Sequence, residues 1–238
     1  MRILISIFFI GISSLAAAES PFDVGIQTYE ASEYEAAITA FEADLESAET
    51  AAARHNLALA YYQLGQPAEA VWQLERALRL APHEEAYHYK LTALRGQLGL
   101  PPGKPDWWLL LSQSLSPGTW MLLLAGSFWI GLAAWLLPRL AGRSPGLPAK
   151  ALRLLSSLAL ILGGTALFLQ RDLAERGICL TENPTQLHAA PAAAAPQTGI
   201  ARPGERAHPL ERHNAYIKIR TEGGTEGWIE KTYFRLIE

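Results

Sequence analysis

The chain has 238 residues, half of them hydrophobic, with 20 Lys and Arg against 23 Asp and Glu and a formal net charge of −3. That balance leaves no basic footprint of the kind a nucleic-acid partner requires. A single cysteine, Cys179, excludes an internal disulfide and any multi-cysteine metal site.

Residues 1–18 open with Arg2, continue through an apolar core from Ile3 to Ile12 and end on Ala16, Ala17 and Ala18. This is the layout of a secretory signal peptide, with cleavage expected after Ala18. An uncleaved signal anchor is the alternative, and the shortness of the apolar core counts against it. On either reading, the region that follows is expected outside the cytoplasm.

Residues 19–100 contain an internal repeat. Gly25, Tyr29, Tyr34, Ala37, Ile38, Phe41 and Leu45 recur 33 residues later as Ala58, Tyr62, Pro67, Ala70, Val71, Leu74 and Leu78. The pattern predicts antiparallel helix pairs. Small residues at Ala58 and Ala70 allow close approach, and Tyr61 and Leu74 fill the space alongside. The second copy resembles the tetratricopeptide repeat at Leu57, Ala58, Tyr61, Gly65, Ala70, Leu74, Ala77 and Pro82. The first departs from it with Thr28, Ser32 and Asp44 at the tyrosine, turn-glycine and alanine positions. Each repeat buries a face against the next, so residues 84–98, with Tyr87, Leu91 and Leu94 at helical spacing, are expected to cap about two and a half repeats.

This resemblance implies a concave groove lined by the first helix of each repeat. Its lining would be Phe22, Ile26 and Tyr29, then His55, Leu59 and Tyr62, then Tyr89 from the cap. The set is apolar and aromatic, and Leu59 stands where a carboxylate clamp would place asparagine. Packing between helices is the competing role for each of these side chains.

Residues 101–118 form a Pro- and Trp-containing linker whose Trp107 and Trp108 suit a bilayer interface, with contact to the repeat cap as the alternative for Trp108. Residues 119–137 carry no charge over about 28 Å of helix, close to the hydrocarbon thickness of a bilayer. Residues 151–169 match that length and carry one charge, Arg153, placed near the start where it can snorkel to the headgroups. Together they predict two transmembrane helices; a buried soluble pair would need more surrounding chain than the flanks supply. The turn, residues 138–150, holds Arg139, Arg143 and Lys150 and no acid, whereas the outer flanks are balanced. The positive-inside bias places the turn in the cytoplasm and both flanks outside, in the periplasm of a bacterial inner membrane. Ser127 with Gly131, and Ala159 with Gly163, are spaced for close helix contact. No ionisable residue lies mid-span, which argues against a channel, proton relay or transporter.

In residues 170–238, short β-prone runs are expected at 178–181, 185–189, 205–210, 216–220 and 227–230. An Ala/Pro loop covers 190–196, and Gly223 and Gly224 make a hairpin turn. Tyr216, Lys218, Ile219, Gly224, Gly227, Trp228 and Ile229 resemble the last hairpin of bacterial SH3-like domains. The resemblance implies a small all-β barrel presenting Tyr216 and Trp228 on its surface. Cys179 is expected as a small buried hydrophobe in the first strand.

The expected fold class is therefore a multidomain membrane protein: an all-α tetratricopeptide array, a two-helix transmembrane hairpin and a small SH3-like barrel. In layout it resembles the BatE-type proteins of the Bacteroides aerotolerance (Bat) operons. That resemblance implies a membrane-anchored periplasmic scaffold acting with von Willebrand factor A-domain membrane proteins and a MoxR-type AAA+ ATPase. A sensor or peptidoglycan-binding module working through the barrel is the competing function. No enzyme, cofactor or metal is expected. His83 and His88 are five apart, about 140° around a helix, rather than on one face. The flanking regions contain no Walker A, GxSxG or GxGxxG string.

Overall fold

The computed structural model describes residues 19–102, 107–142 and 144–237; the signal-peptide expectation, residues 1–18, lies outside them. Five helices build the N-terminal body: α1 (Pro21–Glu30), α2 (Tyr34–Ser47), α3 (Ala51–Gln63), α4 (Pro67–Leu80) and α5 (Glu85–Gln97). Their starts are chemically marked. Ser20 accepts from the Asp23 N–H at 3.2 Å and Thr50 accepts from the Ala53 N–H at 3.2 Å. Pro21 and Pro67 occupy first-turn positions, where a missing N–H costs no helical bond. The α1–α2 and α3–α4 connections both turn on a left-handed residue, Ser32 at φ 64° and Gly65 at φ 72°. Serine holds there a conformation that glycine adopts without a Cβ clash.

The two helix pairs reach close approach with different residues at matching positions. Gly25 lies under the Phe41 ring, where an added Cβ would meet the ring at 2.5 Å. In the second pair Ala58 and Leu74 take those two places inside one core. Ala37 and Ala70 are both fully buried.

After α6 (Trp107–Gln113), the chain forms two long apolar helices, α7 (Pro117–Leu140) and α8 (Leu147–Ala174), each long and apolar enough to cross a membrane. They exceed the expected spans, and the turn shrinks from residues 138–150 to 141–146. Pro138 is accommodated inside α7. Having no N–H, it leaves the Ala134 carbonyl without its helical donor. Arg153 supplies the replacement, donating Nε–H and Nη2–H to that carbonyl at 3.0 and 2.9 Å. Arg153 therefore turns back onto α7 instead of reaching for headgroups. Of the small residues, Gly131 meets Ser156 of α8 and Gly163 meets Leu124 of α7, each closer than a Cβ would comfortably allow.

The C-terminal part is a seven-stranded antiparallel sheet in the order β3-β2-β6-β5-β4-β1-β7. Its strands are β1 (Gly177–Cys179), β2 (Thr185–His188), β3 (Gln197–Ala201), β4 (Arg206–His213), β5 (Tyr216–Thr221), β6 (Glu226–Glu230) and β7 (Phe234–Leu236). Leu187, Ile217, Ile219, Ile229, Phe234 and Cys179 fill its core. Gly224, at φ 82°, makes the β5–β6 turn, and β4 shifts register between Pro209 and Glu211, beside a residue that cannot donate to the ladder. β3 and β7 were not expected from the sequence. The first (QTGIA) directly follows the Ala/Pro loop and contains a glycine, and the second has three residues.

The helical body and the sheet share a core. Val71, Trp72 and Leu78 of α4 and Leu91 and Leu94 of α5 cluster with Ile178 and Ile237. Trp72 Nε1–H donates to the Leu236 carbonyl at 2.8 Å, and Gly204, at φ 73°, brings its backbone against Val71 and Leu98. A charged seam runs alongside. Arg95 is 0 % exposed, donates through Nε to the Pro101 carbonyl at 2.9 Å and pairs with Glu222. Arg206 Nε–H donates to Glu75 Oε1 at 2.7 Å. Burial alone would lower the Arg206 pKa, but the Glu75 and Glu222 carboxylates outweigh it and raise it. Both bodies thus stand at the end of the hairpin opposite its turn.

Candidate binding face

The sheet covers much of α4, which leaves the side formed by α1, α3 and α5 as the free face of the helical body. Three side-chain contacts join these helices. Gln63 Nε2–H donates to Tyr29 Oη at 3.4 Å, Tyr62 Oη–H donates to Gln97 Oε1 at 3.0 Å, and His55 stacks on Tyr87 with ring centroids 4.6 Å apart. The expected groove residues divide along this face. Phe22, Ile26 and Tyr29 pack partly against the Phe41 core, with the Phe22 and Phe41 centroids 5.8 Å apart. His55 and Leu59 are half-buried. Tyr62 is 42 % exposed and Tyr89 77 % exposed. Burial, and then the charge of Lys90, lower the pKa of His55, whose Nε2 is buried without a hydrogen-bond partner. The neutral ring stacked on Tyr87 is consistent with both. The open part of the face is thus aromatic and lies towards α5.

On the sheet the two expected surface residues separate. Tyr216 is half-buried at the start of β5. Trp228 is only 8 % exposed, which corrects its assignment to the surface. It lies opposite His188 of β2 and Lys218 of β5, and the His213 ring meets it edge-on at 6.4 Å, so neighbours on both sides enclose it. The open sheet surface nearby is charged instead. Arg220 Nε–H donates to Glu226 Oε1 at 2.7 Å, and Lys218 lies 3.8 Å from the same carboxylate. The Arg220 hydrogen bond holds the Glu226 carboxyl below its ordinary range.

Two features escaped sequence reasoning because their residues are more than a hundred positions apart. One is a cavity of about 440 Å³ between Trp72 and Arg76 of α4 and Arg212, Lys231 and Arg235 of the sheet. Arg235 stacks over the Trp72 ring at 4.5 Å and pairs with Glu69 at 3.1 Å. The other is a larger cavity beneath α6. Among the described residues no group of three His, Cys, Asp or Glu side chains is placed to hold a metal ion. Cys179 is fully buried, and burial followed by the Glu205 charge pushes its thiol up to about 12, so it is no ready nucleophile.

Residues 183–235 match the family model described as Bacterial SH3 domain. No curated protein and no solved structure matches the chain.

Proposed function

We propose that the chain is a non-enzymatic scaffold, exported and held at the outer face of a bacterial inner membrane. In this reading α1–α5 are two tetratricopeptide repeats and a capping helix, and their free face binds partner proteins. One observation carries it: the sheet occupies α4, so the aromatic face with Tyr62 and Tyr89 is the side left open. Grooves of this kind grip extended or helical peptides through apolar anchors. The resemblance to BatE-type proteins names the partner class, von Willebrand factor A-domain membrane proteins working with a MoxR-type ATPase.

The test is co-purification of membrane partners with the full chain and its Tyr62→Ala and Tyr89→Ala variants. A binding hot spot loses about 2 kcal/mol or more on truncation, roughly thirtyfold in affinity. Because both side chains are exposed, melting should move little, and Tyr62→Phe should remove only the Gln97 bond. Full partner retention by both alanine variants rejects the groove.

A second reading is supported by the family match at 183–235: the sheet acts as a peptidoglycan- or protein-binding module. Binding of the full chain to purified sacculi, undiminished in the Tyr62→Ala and Tyr89→Ala variants, would favour it over the first.

A further inference from the structure

The smaller cavity, about 440 Å³, opens on the seam between α4 and the sheet. Its volume lies within the range of small-molecule sites, roughly 300–1,000 Å³. Cations from separate elements line it: Arg76 of α4, Arg212 of β4, Lys231 just after β6 and Arg235 of β7. Among the described residues that line it there is no Asp or Glu. The compensation of these charges is uneven. Arg235 is matched by Glu69 at 3.1 Å. Arg76 meets Glu49 Oε1 at 2.6 Å, but Arg54 claims the same oxygen at 3.0 Å, so one carboxylate serves two guanidinium groups. The Arg76 Nε is also buried without a hydrogen-bond partner. Burial, and then the charge of Arg76, lower the pKa of Arg54, consistent with two cations crowded on one anion. Arg212 and Lys231 are exposed, and among the described residues neither has a carboxylate partner. Arg212 lies opposite Ile217, and the Lys231 N–H donates to the Ala215 carbonyl at 2.8 Å, so these two unmatched cations flank the start of β5. The inner side of the cavity is apolar, with carbon from Ile217, Phe234 and Leu236. Beside it the Trp72 ring carries the Arg76 and Arg235 guanidinium groups at 5.1 and 4.5 Å, which holds both in place before any ligand arrives.

We propose that this cavity binds a small phosphomonoester, its phosphate among Arg76, Arg212, Lys231 and Arg235 and its organic group against Ile217, Phe234 and Leu236. A phosphate offers three oxygens to donors approaching from several directions, whereas a carboxylate offers two in one plane and is best matched by a single guanidinium fork. Cations converging from α4, β4, β7 and the end of β6 fit the phosphate. The unmatched charges of Arg212 and Lys231 also balance such a group, which carries about −1.5 to −2 near neutral pH. The site stands apart from the α1/α3/α5 face. A ligand held there would tie α4 to β4 and β7, across the seam that joins the helical body to the sheet.

The experiment is isothermal titration calorimetry of the full chain in non-ionic detergent, with phenyl phosphate, inorganic phosphate and succinate as separate titrants. Low ionic strength is used, because salt screens exposed charges. One phenyl phosphate should bind per chain, more tightly than inorganic phosphate or succinate. Arg212→Gln and Lys231→Gln should each weaken it about tenfold, the loss of one charge-assisted contact. Melting should stay unchanged in both, since neither side chain has a partner within the described fold. Arg171→Gln, which removes an exposed cation outside the lining, should leave phenyl phosphate binding as it was. The absence of saturable phenyl phosphate binding overturns the proposal. So does equally tight binding of succinate or inorganic phosphate, which would reduce the cavity to a general patch of charge. Unchanged binding in both cavity variants, or an equal loss in Arg171→Gln, overturns it as well.

Discussion

Pro138 and Arg153 act as a pair, although fifteen residues separate them. The proline removes the N–H that would bond the Ala134 carbonyl, and the guanidinium restores two donors to it. An unsatisfied carbonyl in an apolar setting costs about 1–3 kcal/mol. Arg153→Met should therefore destabilise the hairpin by that order, measured by SDS titration of the full chain in mixed micelles. In a Pro138→Ala background the backbone N–H regained at position 138 can bond the Ala134 carbonyl itself, and the same substitution should cost clearly less. Such a cycle removes the general effect of deleting a charge near a membrane. Equal costs in the two backgrounds would show that Arg153 is merely solvated. The sequence made the apolar spans legible, because their length and lack of charge are local properties. The role of Arg153 was not legible, since its partner lies on the other helix and is a backbone atom.

At the scale of elements, α4 carries the most consequence. Its repeat spacing foretold a helix with Ala70 at a close approach and Leu74 filling the space alongside, and both are buried. The 33-residue period could not show that Trp72 and Glu75, on another side of α4, meet the sheet some 130 to 165 residues away. The seam of Glu75, Arg95, Arg206 and Glu222 was hidden for the same reason, since charged residues on a repeat helix read as solvated surface. Trp72→Ala removes a buried indole, a change that typically costs about 3–5 kcal/mol, and it leaves the Leu236 carbonyl without its donor. Hydrogen exchange on the full chain should then show protection falling together in α4, β1 and β7, with α1 and α2 much less affected. Loss confined to α4 would mean that the sheet is stable without the helical body, and that the shared core contributes little.

At the scale of the whole molecule, the shared core ties the placement of the helical body to that of the sheet. Because α4 and α5 pack on the sheet, both soluble bodies must lie on the same side of any membrane that α7 and α8 cross. The turn, with Arg139 and Lys150 at its flanks, would then lie on the other side, and the positive-inside bias predicts that this side is the cytoplasm. Cysteine labelling reads this directly, and the native thiol does not interfere, since Cys179 is fully buried with its pKa pushed up to about 12. With a membrane-impermeant maleimide on intact bacterial cells whose outer membrane has been opened, Glu46→Cys and Glu182→Cys should both label. Ser144→Cys should label only after the inner membrane is permeabilised. Labelling of Ser144→Cys alone would invert the orientation and place both bodies in the cytoplasm, contrary to an exported scaffold. Labelling of Glu46→Cys without Glu182→Cys, or the reverse, would be the more serious result. It would put the helical body and the sheet on opposite sides of the bilayer, where Trp72 could not reach Leu236 and the joined core could not exist.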